Sequence, residues 1–298
     1  MIDMEMFQQI SFVTFFCHKP MAPHPKLLIL NLLMAAEGAP LSAKEATAAG
    51  AVFGMRENSV RVALVRLSAA GLIEAAGRGS YRLGPQAVPL AEDLSGWQLA
   101  EERVCDWDGG WLMVSTGALG RSDRPSLHAR ERALALTGFG ELEPTLHVRP
   151  DNLVGHASAV RQRLFKLGLD DGAAVFVARD LGPRHERAAV RLWDGKALNA
   201  SYRVARQKLA QWLERVDQLD PDMAARESFL LGNEAIRQLV FDPMLPEPLV
   251  DVSARREFAK VVQAFDRQGH EIWRRLLCRV NPVGRPERAD QPLPVEQT

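Results

Sequence analysis

Residues 54–83 read GMRENSVRVALVRLSAAGLIEAAGRGSYRL, and this stretch decides the fold of the N-terminal part of the chain. From Val60 its apolar positions recur at i, i+3, i+4 and i+7, which is the spacing of one buried face of an α-helix. Gly71 follows, where glycine suits the left-handed conformation that often ends a helix. Two short apolar runs then flank GRGS, so the pattern predicts a helix followed by a β-hairpin.

Two further helices are predicted before this stretch. Leucines at helical spacing from Leu27 predict a first helix that ends near Gly38. Ser42 and Glu45 have the spacing of a capping box, which predicts the start of a second helix. Three helices and a hairpin are typical of a winged helix-turn-helix, here over residues 26–84.

The sequence after residue 84 predicts two more domains. Together with the N-terminal part, it predicts an α+β fold for the whole chain. After a linker over residues 84–96, strand and helix patterns alternate, which predicts a central ferredoxin-like (Cas2-like) α/β domain over residues 97–182. In it, the run ELEPTLHVRP is interpreted as one extended segment. Long stripes of period 3.6 predict a helical C-terminal domain over residues 196–280. The Pro-rich, charged residues 282–298 are predicted to form a disordered tail.

Composition narrows the protein class. The chain has 298 residues, of which 47% are hydrophobic and 25% charged, as expected for a soluble globular protein of two or three domains. Cys17, Cys105 and Cys278 are too scattered for a disulfide framework or a metal cluster and fit a reducing compartment. The apolar run ISFVTFFC is too short for a membrane span and lacks the basic flank of a signal peptide. We therefore predict a cytoplasmic protein with no membrane partner.

Positive charge is concentrated in the predicted winged helix. Residues 26–83 hold seven basic and four acidic side chains, a net charge of +3, which leaves −3 on the rest of a chain of zero formal net charge. The DNA major groove admits one α-helix, and side chains of its first turns reach base edges. A wing arginine can reach a phosphate or the minor groove. We predict binding of double-stranded DNA through the following residues: Arg56, Asn58, Ser59, Arg61, Val62, Arg66, Arg78 and Arg82.

The residue types suggest separate roles. Asn58 can pair with adenine, Arg61 with guanine or a phosphate, and Val62 with a thymine methyl group. Arg56 occupies the position where such a helix usually has a Ser or Thr cap, so the capping role is predicted to pass to Asn58 or Ser59. A winged helix can also dock a protein, so a protein-interaction adaptor stays open as an alternative.

Catalytic motifs are missing from the sequence. Neither GxSxG nor GxxxxGK[ST] occurs, and the histidines never stand at a metal-ligand spacing such as HxxxH or HExxH. A Cas2-like nuclease would need a metal-binding carboxylate at the end of the first strand of the central domain. That strand ends on Ser115 and Thr116, whereas Asp106 and Asp108 precede it. We therefore predict no catalytic activity, no metal and no cofactor.

Three motifs in order resemble the PaaX-type transcriptional repressors. RENSVRVALVRLSAAGLIEA with GRGSYRLG is similar to their N-terminal module, and ERALALTGFGELEPTLHVRPDNL to their glycine-rich helix end and Arg-Pro strand exit. DPMLPEPLVD is similar to their C-terminal Asp-Pro, Leu-Pro signature. The resemblance covers most of residues 26–280. It implies a homodimeric repressor of an aromatic-acid degradation operon, released from its operator by an aryl-CoA thioester such as phenylacetyl-CoA.

The resemblance also implies an effector site in the middle and C-terminal segments. Tryptophans can line an aromatic-acyl pocket and arginines suit CoA phosphates, so the candidates are Trp107, Trp111, His147 and Arg149. Where the family usually reads Gly-Leu-Trp, this chain has Thr145, Leu146 and His147, and a Trp-Pro-Gly element is missing after Asp251. These departures suggest an acyl group other than phenylacetyl.

A second regulator family shares part of the DNA-binding pattern. The first helix and the wing also resemble those of GntR-type regulators, which share the pattern VRxALxRL. Their effector domains are usually all-helical or of an unrelated α/β fold. The predicted α/β middle followed by helices therefore favours the PaaX type, with a GntR-like regulator of another small molecule as the alternative.

Overall fold

The computed structural model describes residues 23–36, 38–88, 91, 96–120 and 122–281. Helices and two antiparallel sheets make the fold α+β, as predicted. The chain forms two compact units. One unit comprises the described residues of Glu92–Gln218 and Ser228–Gln268, and the other those of Pro23–Ala91, Leu219–Glu227 and Gly269–Thr298.

The unit that holds the N-terminal segment begins with two helices, α1 (Pro25–Ala35) and α2 (Ala43–Val52). Proline suits the first turn of α1, since its missing N–H would have no helical partner there. The capping box predicted for α2 is present: Ser42 N donates to Glu45 Oε2 over 2.7 Å, and Glu45 N donates to Ser42 Oγ over 3.1 Å. This prediction is confirmed.

The third helix, α3 (Glu57–Ala69), buries the stripe predicted from its spacing. Its buried residues are Val60, Ala63, Leu64 and Leu67. Helices α1 and α2 both pack against α3, and the approach is close at Gly50, where a Cβ would lie 2.7 Å from Cγ2 of Val60. The N-cap is Arg56, and its side chain makes no capping hydrogen bond. The prediction that Asn58 or Ser59 caps this helix is wrong, because both lie inside its first turn.

A three-stranded antiparallel sheet follows in the order β1–β3–β2, with β1 at Leu41–Ser42, β2 at Ile73–Ala75 and β3 at Ser80–Leu83. The hairpin therefore lies where the sequence predicts it. Its loop contains Gly77 and Gly79 with φ of +125° and +70°, values that residues with a Cβ rarely adopt. The end of the chain's last helix belongs to the same unit: the rings of Trp273 and Phe53 are stacked, with centroids 6.2 Å apart.

The larger unit contains a four-stranded antiparallel sheet of order β5–β6–β4–β7. In chain order its elements are β4 (Trp111–Ser115), α4 (Arg124–Leu136), β5 (Gly140–Glu143), β6 (Leu146–Pro150), α5 (His156–Lys166) and β7 (Ala174–Ala178). The single extended segment predicted over 141–150 is wrong, since β5 and β6 form a hairpin. Pro144 cannot donate to a ladder, and Thr145 turns the chain with a φ of 69°.

Both faces of this sheet are covered. Alternate residues of β4 point to opposite faces, so Leu112 and Val114 join the core beneath α4 and α5. Trp111 and Met113 join a second core with Val148 and with Ala189 of helix α6 (Gly182–Val190). Helix α6 was not predicted.

Three long helices complete the described chain: α7 (Gly195–Arg215), α8 (Pro221–Val240) and α9 (Val252–Val280). Helices α7 and α9 agree with the helices predicted from the long stripes. Residues 89, 90 and 92–95 of the predicted linker and the predicted disordered tail, 282–298, lie outside the described residues. Over the described part of the chain, no helix combines the length and the apolar character needed to cross a bilayer.

Candidate nucleic-acid interface and effector site

One side of α3 is buried and the other is accessible. The six predicted contact residues at this helix, all exposed, are Arg56, Asn58, Ser59, Arg61, Val62 and Arg66. Val65, which was left out of the predicted set, is 66% exposed and lies on the same face. The accessible face thus combines arginines with amide, hydroxyl and valine side chains, the types that read base edges and phosphates.

A carboxylate that the prediction did not include lies on this face. Nε of Arg61 donates to Oε1 of Glu57 over 2.8 Å, one helical turn away, and both side chains are exposed. Exposed pairs at this spacing contribute only about 0.3–0.5 kcal/mol. A base or phosphate can therefore replace Glu57 as the partner of Arg61. The spacing of four residues between Glu57 and Arg61 was the signal from which this ion pair could have been predicted.

The two arginines of the hairpin differ in their surroundings. Arg82 on β3 donates to Glu74 on β2 over 2.7 Å, across a cross-strand pair. Arg78 is exposed between the two loop glycines, and no charged partner lies near it among the residues that the structure describes. Of the two, Arg78 is therefore the more available for an outside phosphate.

The predicted effector residues do not form one site. Trp107 and Trp111 lie on one face of the four-stranded sheet, with ring centroids 5.1 Å apart. Trp111 is fully buried and its Nε1 donates to Glu186 over 3.0 Å, while Nε1 of Trp107 donates to Gly110 O. Because Val148 faces the same side as Trp111, its neighbours His147 and Arg149 face the opposite side.

Arg149 is enclosed by protein. Its Nη1 donates to Thr137 O, its Nη2 to Asn152 Oδ1 over 3.0 Å, and its Nε to Pro150 O over 3.1 Å. Burial lowers its pKa to about 10. Since every nitrogen of the guanidinium donates to protein oxygen, this geometry gives no support to the predicted contact with a CoA phosphate.

Two of the three motifs that carried the family resemblance meet around Arg149. Gly138 at the end of α4 has a φ of +74°, and a Cβ there would lie 2.8 Å from Cα of Pro243. Asn152, which binds Arg149, also donates through Nδ2 to Met244 O over 2.8 Å. The glycine-rich helix end, the Arg-Pro strand and the Asp-Pro, Leu-Pro segment are thus neighbours within one unit.

Buried polar side chains also form hydrogen bonds with the Asp-Pro, Leu-Pro segment, at Asp242 and Leu245. The Tyr202 hydroxyl donates to Asp242, whose pKa is raised by burial. Arg255, fully buried, donates to Leu245 O over 2.6 Å and to Glu101 Oε1 over 2.7 Å. Sequence reasoning missed these residues because Tyr202 is 40 residues from Asp242 and Glu101 is 154 residues from Arg255, so no local pattern links them.

His147 is the predicted effector residue with an unsatisfied group. Its Nδ1 is buried and has no hydrogen-bond partner among the described residues, and burial lowers its pKa. Among the described residues, no three His, Cys, Asp or Glu side chains are grouped so that they could hold a metal ion.

The chain is similar to one protein family over its C-terminal part and to a known repressor over a longer stretch. Residues 193–275 match the family described as the PaaX-like protein C-terminal domain. Over 209 residues the chain is 29% identical to the transcriptional repressor PaaX of Escherichia coli (strain K12), a match that covers 66% of this chain and 64% of that protein, so the chain spans just under two thirds of its curated relative.

A solved structure is also similar. It is the uncharacterized protein Rv0674 from Mycobacterium tuberculosis, with a TM-score of 0.59 and 23% identity, covering 88% of this chain and 99% of that one. At this identity the likeness concerns the fold alone. Residues 193–275 are thus similar to the PaaX-like C-terminal domain, and the resemblance to the PaaX-type transcriptional repressors predicted from the motifs is confirmed.

Proposed function

We propose that the protein is a transcriptional repressor of PaaX type that binds an operator as a homodimer. The observation that carries the proposal is the accessible, arginine-bearing face of α3 beside a hairpin with Arg78 at its tip. Similarity to a repressor of known type supports it. The match of residues 193–275 to the PaaX-like C-terminal domain favours this function over that of a GntR-like regulator.

On this proposal each predicted domain has one task. Residues 26–84 are the winged helix-turn-helix that contacts DNA, and their three helices and β1–β3–β2 sheet have the composition of that fold. Residues 97–182 are a ferredoxin-like domain, which their β–α–β–β–α–β order supports. Residues 196–280 are a helical domain. The protein acts in the cytoplasm, without catalysis.

The effector is an aryl-CoA or related acyl-CoA thioester that binds within residues 97–280. To release the operator it must bind the DNA-free state more tightly than the DNA-bound state. A homodimer reads two half-sites about one helical turn apart, so a small displacement of one recognition helix relative to its mate lowers affinity. Of the four predicted contact residues, Trp107 and His147 are partly exposed but lie on opposite faces of the four-stranded sheet, so one acyl group can contact only one of them, whereas Trp111 and Arg149 are enclosed.

A gel-shift assay with the DNA upstream of the protein's own gene tests the proposal. We expect a specific complex that survives an excess of unrelated DNA and dissociates with an acyl-CoA thioester. Absence of binding even at low salt would refute DNA binding and leave the protein-interaction adaptor. Tight binding of a free aromatic acid, with no response to any thioester, would refute the effector assignment alone.

Arg61→Ala is expected to weaken operator binding by about 1–3 kcal/mol and to relax the base preference at one position of the site, because a bidentate arginine contact reads a specific base. Titration of labelled operators at fixed salt measures both effects. Arg184→Ala, an equal loss of charge at an exposed position of α6, is the control and should leave affinity unchanged.

Glu57→Gln tests the same ion pair by removing the partner of Arg61, and its expected effect has the opposite sign. It removes the carboxylate that pairs with Arg61, so operator affinity should rise. If Arg61→Ala binds like the wild type while Glu57→Gln has no effect, α3 is not the recognition helix.

Arg78→Ala is expected to weaken binding to all DNA sequences by a similar factor. A phosphate contact releases about one counterion, so the slope of log affinity against log salt should fall in magnitude by about one. Binding measured between low and moderate salt gives this slope for the specific site and for unrelated DNA. A loss confined to the specific site would instead mean that Arg78 reads a base.

A further inference from the structure

Two valines of α3 are exposed to solvent. Over residues 23–36 and 38–83, Val62 and Val65 are the only exposed side chains of the valine, leucine, isoleucine, methionine or aromatic types, with exposed fractions of 39% and 66%. Valine is also a weaker helix former than alanine or lysine. Burial within the protein accounts for Val62 only in part and for Val65 hardly at all.

The two valines lie opposite the buried stripe of α3. They belong to a line of exposed residues at i, i+4, i+7 and i+11, the spacing of one helix face: Asn58, Val62, Val65 and Ala69. Since each residue turns the helix by about 100°, this line is about 180° from the buried stripe that begins at Val60. The line opposite the packed face is the part of the helix that enters deepest into a groove.

Positive charge flanks this line. Arg61 and Arg66 are exposed and stand on opposite sides of it, within a segment, residues 26–83, that has seven basic and four acidic side chains. A helix face with an apolar centre and cationic flanks matches the major groove, whose floor presents base edges and whose walls carry phosphates. A protein partner fits less well, because two valine side chains are far smaller than the apolar patches that mark protein interfaces.

Valine can recognise one feature of the groove floor. Among the four bases, only thymine presents a methyl group there. A valine against an amino group or a carbonyl oxygen would leave that polar group without a hydrogen bond, which is unfavourable. Val62 and Val65 are about 4.5 Å apart along the helix axis, and successive bases of one strand are about 3.4 Å apart. The two valines therefore match the methyl groups of two consecutive thymines.

We propose that Val62 and Val65 contact the 5-methyl groups of two consecutive thymines, so that each half-site of the operator contains a TT step. The inference rests on the proposed function. It adds Val65, which was not among the residues predicted to contact DNA, to those that set the base preference. It also gives the exposed apolar centre of α3 a partner of defined chemistry.

Replacement of thymine by deoxyuridine tests the proposal, since it removes the methyl group and keeps the base pair. Footprinting of the DNA upstream of the gene with the full-length protein first locates the half-sites, and each thymine in them is then replaced in turn. We expect two consecutive thymines in a half-site at which replacement lowers affinity about fourfold each, the factor for one buried methyl group. Thymines outside the half-sites should show no effect.

Val62→Ser and Val65→Ser assign each methyl group to one valine. In each variant the response to one of the two thymines should disappear while the response to the other remains. Both positions are exposed and serine has a helix propensity similar to that of valine, so the melting temperature should stay near the wild-type value. Val154→Ser is the control: Val154 is 57% exposed in the other unit, and this variant should respond to both thymines.

The possible results separate this inference from the proposed function. Operator binding that is equal with thymine and deoxyuridine at every position would overturn the inference alone. A response to both thymines that persists in Val62→Ser and in Val65→Ser would also overturn it, because other side chains would then contact the methyl groups. Absence of a complex with any DNA at low salt would contradict the proposed function and this inference together.

Discussion

Arg255→Ala is expected to lower the free energy of unfolding by about 3–5 kcal/mol, the range for removal of one partner from a buried ion pair. The side chain is fully buried. Its loss leaves the carboxylate of Glu101, which is only 25% exposed, without the cation that binds it over 2.7 Å. It also leaves the carbonyl of Leu245 without its 2.6 Å donor. Urea unfolding followed by near-ultraviolet circular dichroism measures the change.

Arg256→Ala is the matched control. Arg256 is the next residue in α9 and contacts the same carboxylate over 3.4 Å, but its side chain is 58% exposed. Exposed pairs contribute about 0–1 kcal/mol, so this variant should unfold at nearly the wild-type urea concentration. If the two variants lose equal stability, the burial of Arg255 is not what makes its pair important.

Arg149→Met is expected to cost about 3 kcal/mol of unfolding free energy, because three buried acceptors lose their donor while the volume of the side chain is roughly kept. The acceptors are the carbonyls of Thr137 and Pro150 and Oδ1 of Asn152. Thermal unfolding should show a lower melting temperature than in Arg184→Met, where an exposed arginine is replaced.

The same variant decides between two roles for Arg149. A contact with an effector phosphate would lower effector affinity at unchanged stability. A structural role would lower stability, and effector affinity measured well below the melting temperature would stay near the wild-type value. A stable Arg149→Met protein that no longer responds to acyl-CoA would restore the original prediction and contradict the geometry described above.

Features that depend on residues close in the chain could be predicted from the sequence. The capping box needs only Ser42 and Glu45, and the buried stripe of α3 needs only the helical period, so both were confirmed. The hairpin of β5 and β6 was missed because Pro144 and Thr145 are not a common two-residue hairpin turn. The apolar residues of this segment are equally compatible with one continuous strand.

Features that depend on distant residues could not be predicted. The motif arginine Arg149 suggested a phosphate ligand because nothing in the sequence shows that β6 will pack beside the end of α4, where Thr137 O accepts from Nη1 of Arg149. Arg255 and Glu101 are separated by 154 residues and belong to segments with no shared pattern. The exposed residues of α3 were identified correctly as accessible, since exposure follows from the same period that defines the buried stripe.

The stacking of Trp273 on Phe53 bears on how the unit that holds α1, α2 and α3 could be isolated or exchanged. Trp273 is largely buried and lies within the matched PaaX-like C-terminal region, yet it is grouped with the N-terminal helices. A fragment that ends at residue 84 would therefore leave the ring of Phe53 without its aromatic neighbour. The compact unit that holds α1, α2 and α3 is discontinuous in the sequence, so a transplant of this unit between relatives must also carry the end of α9.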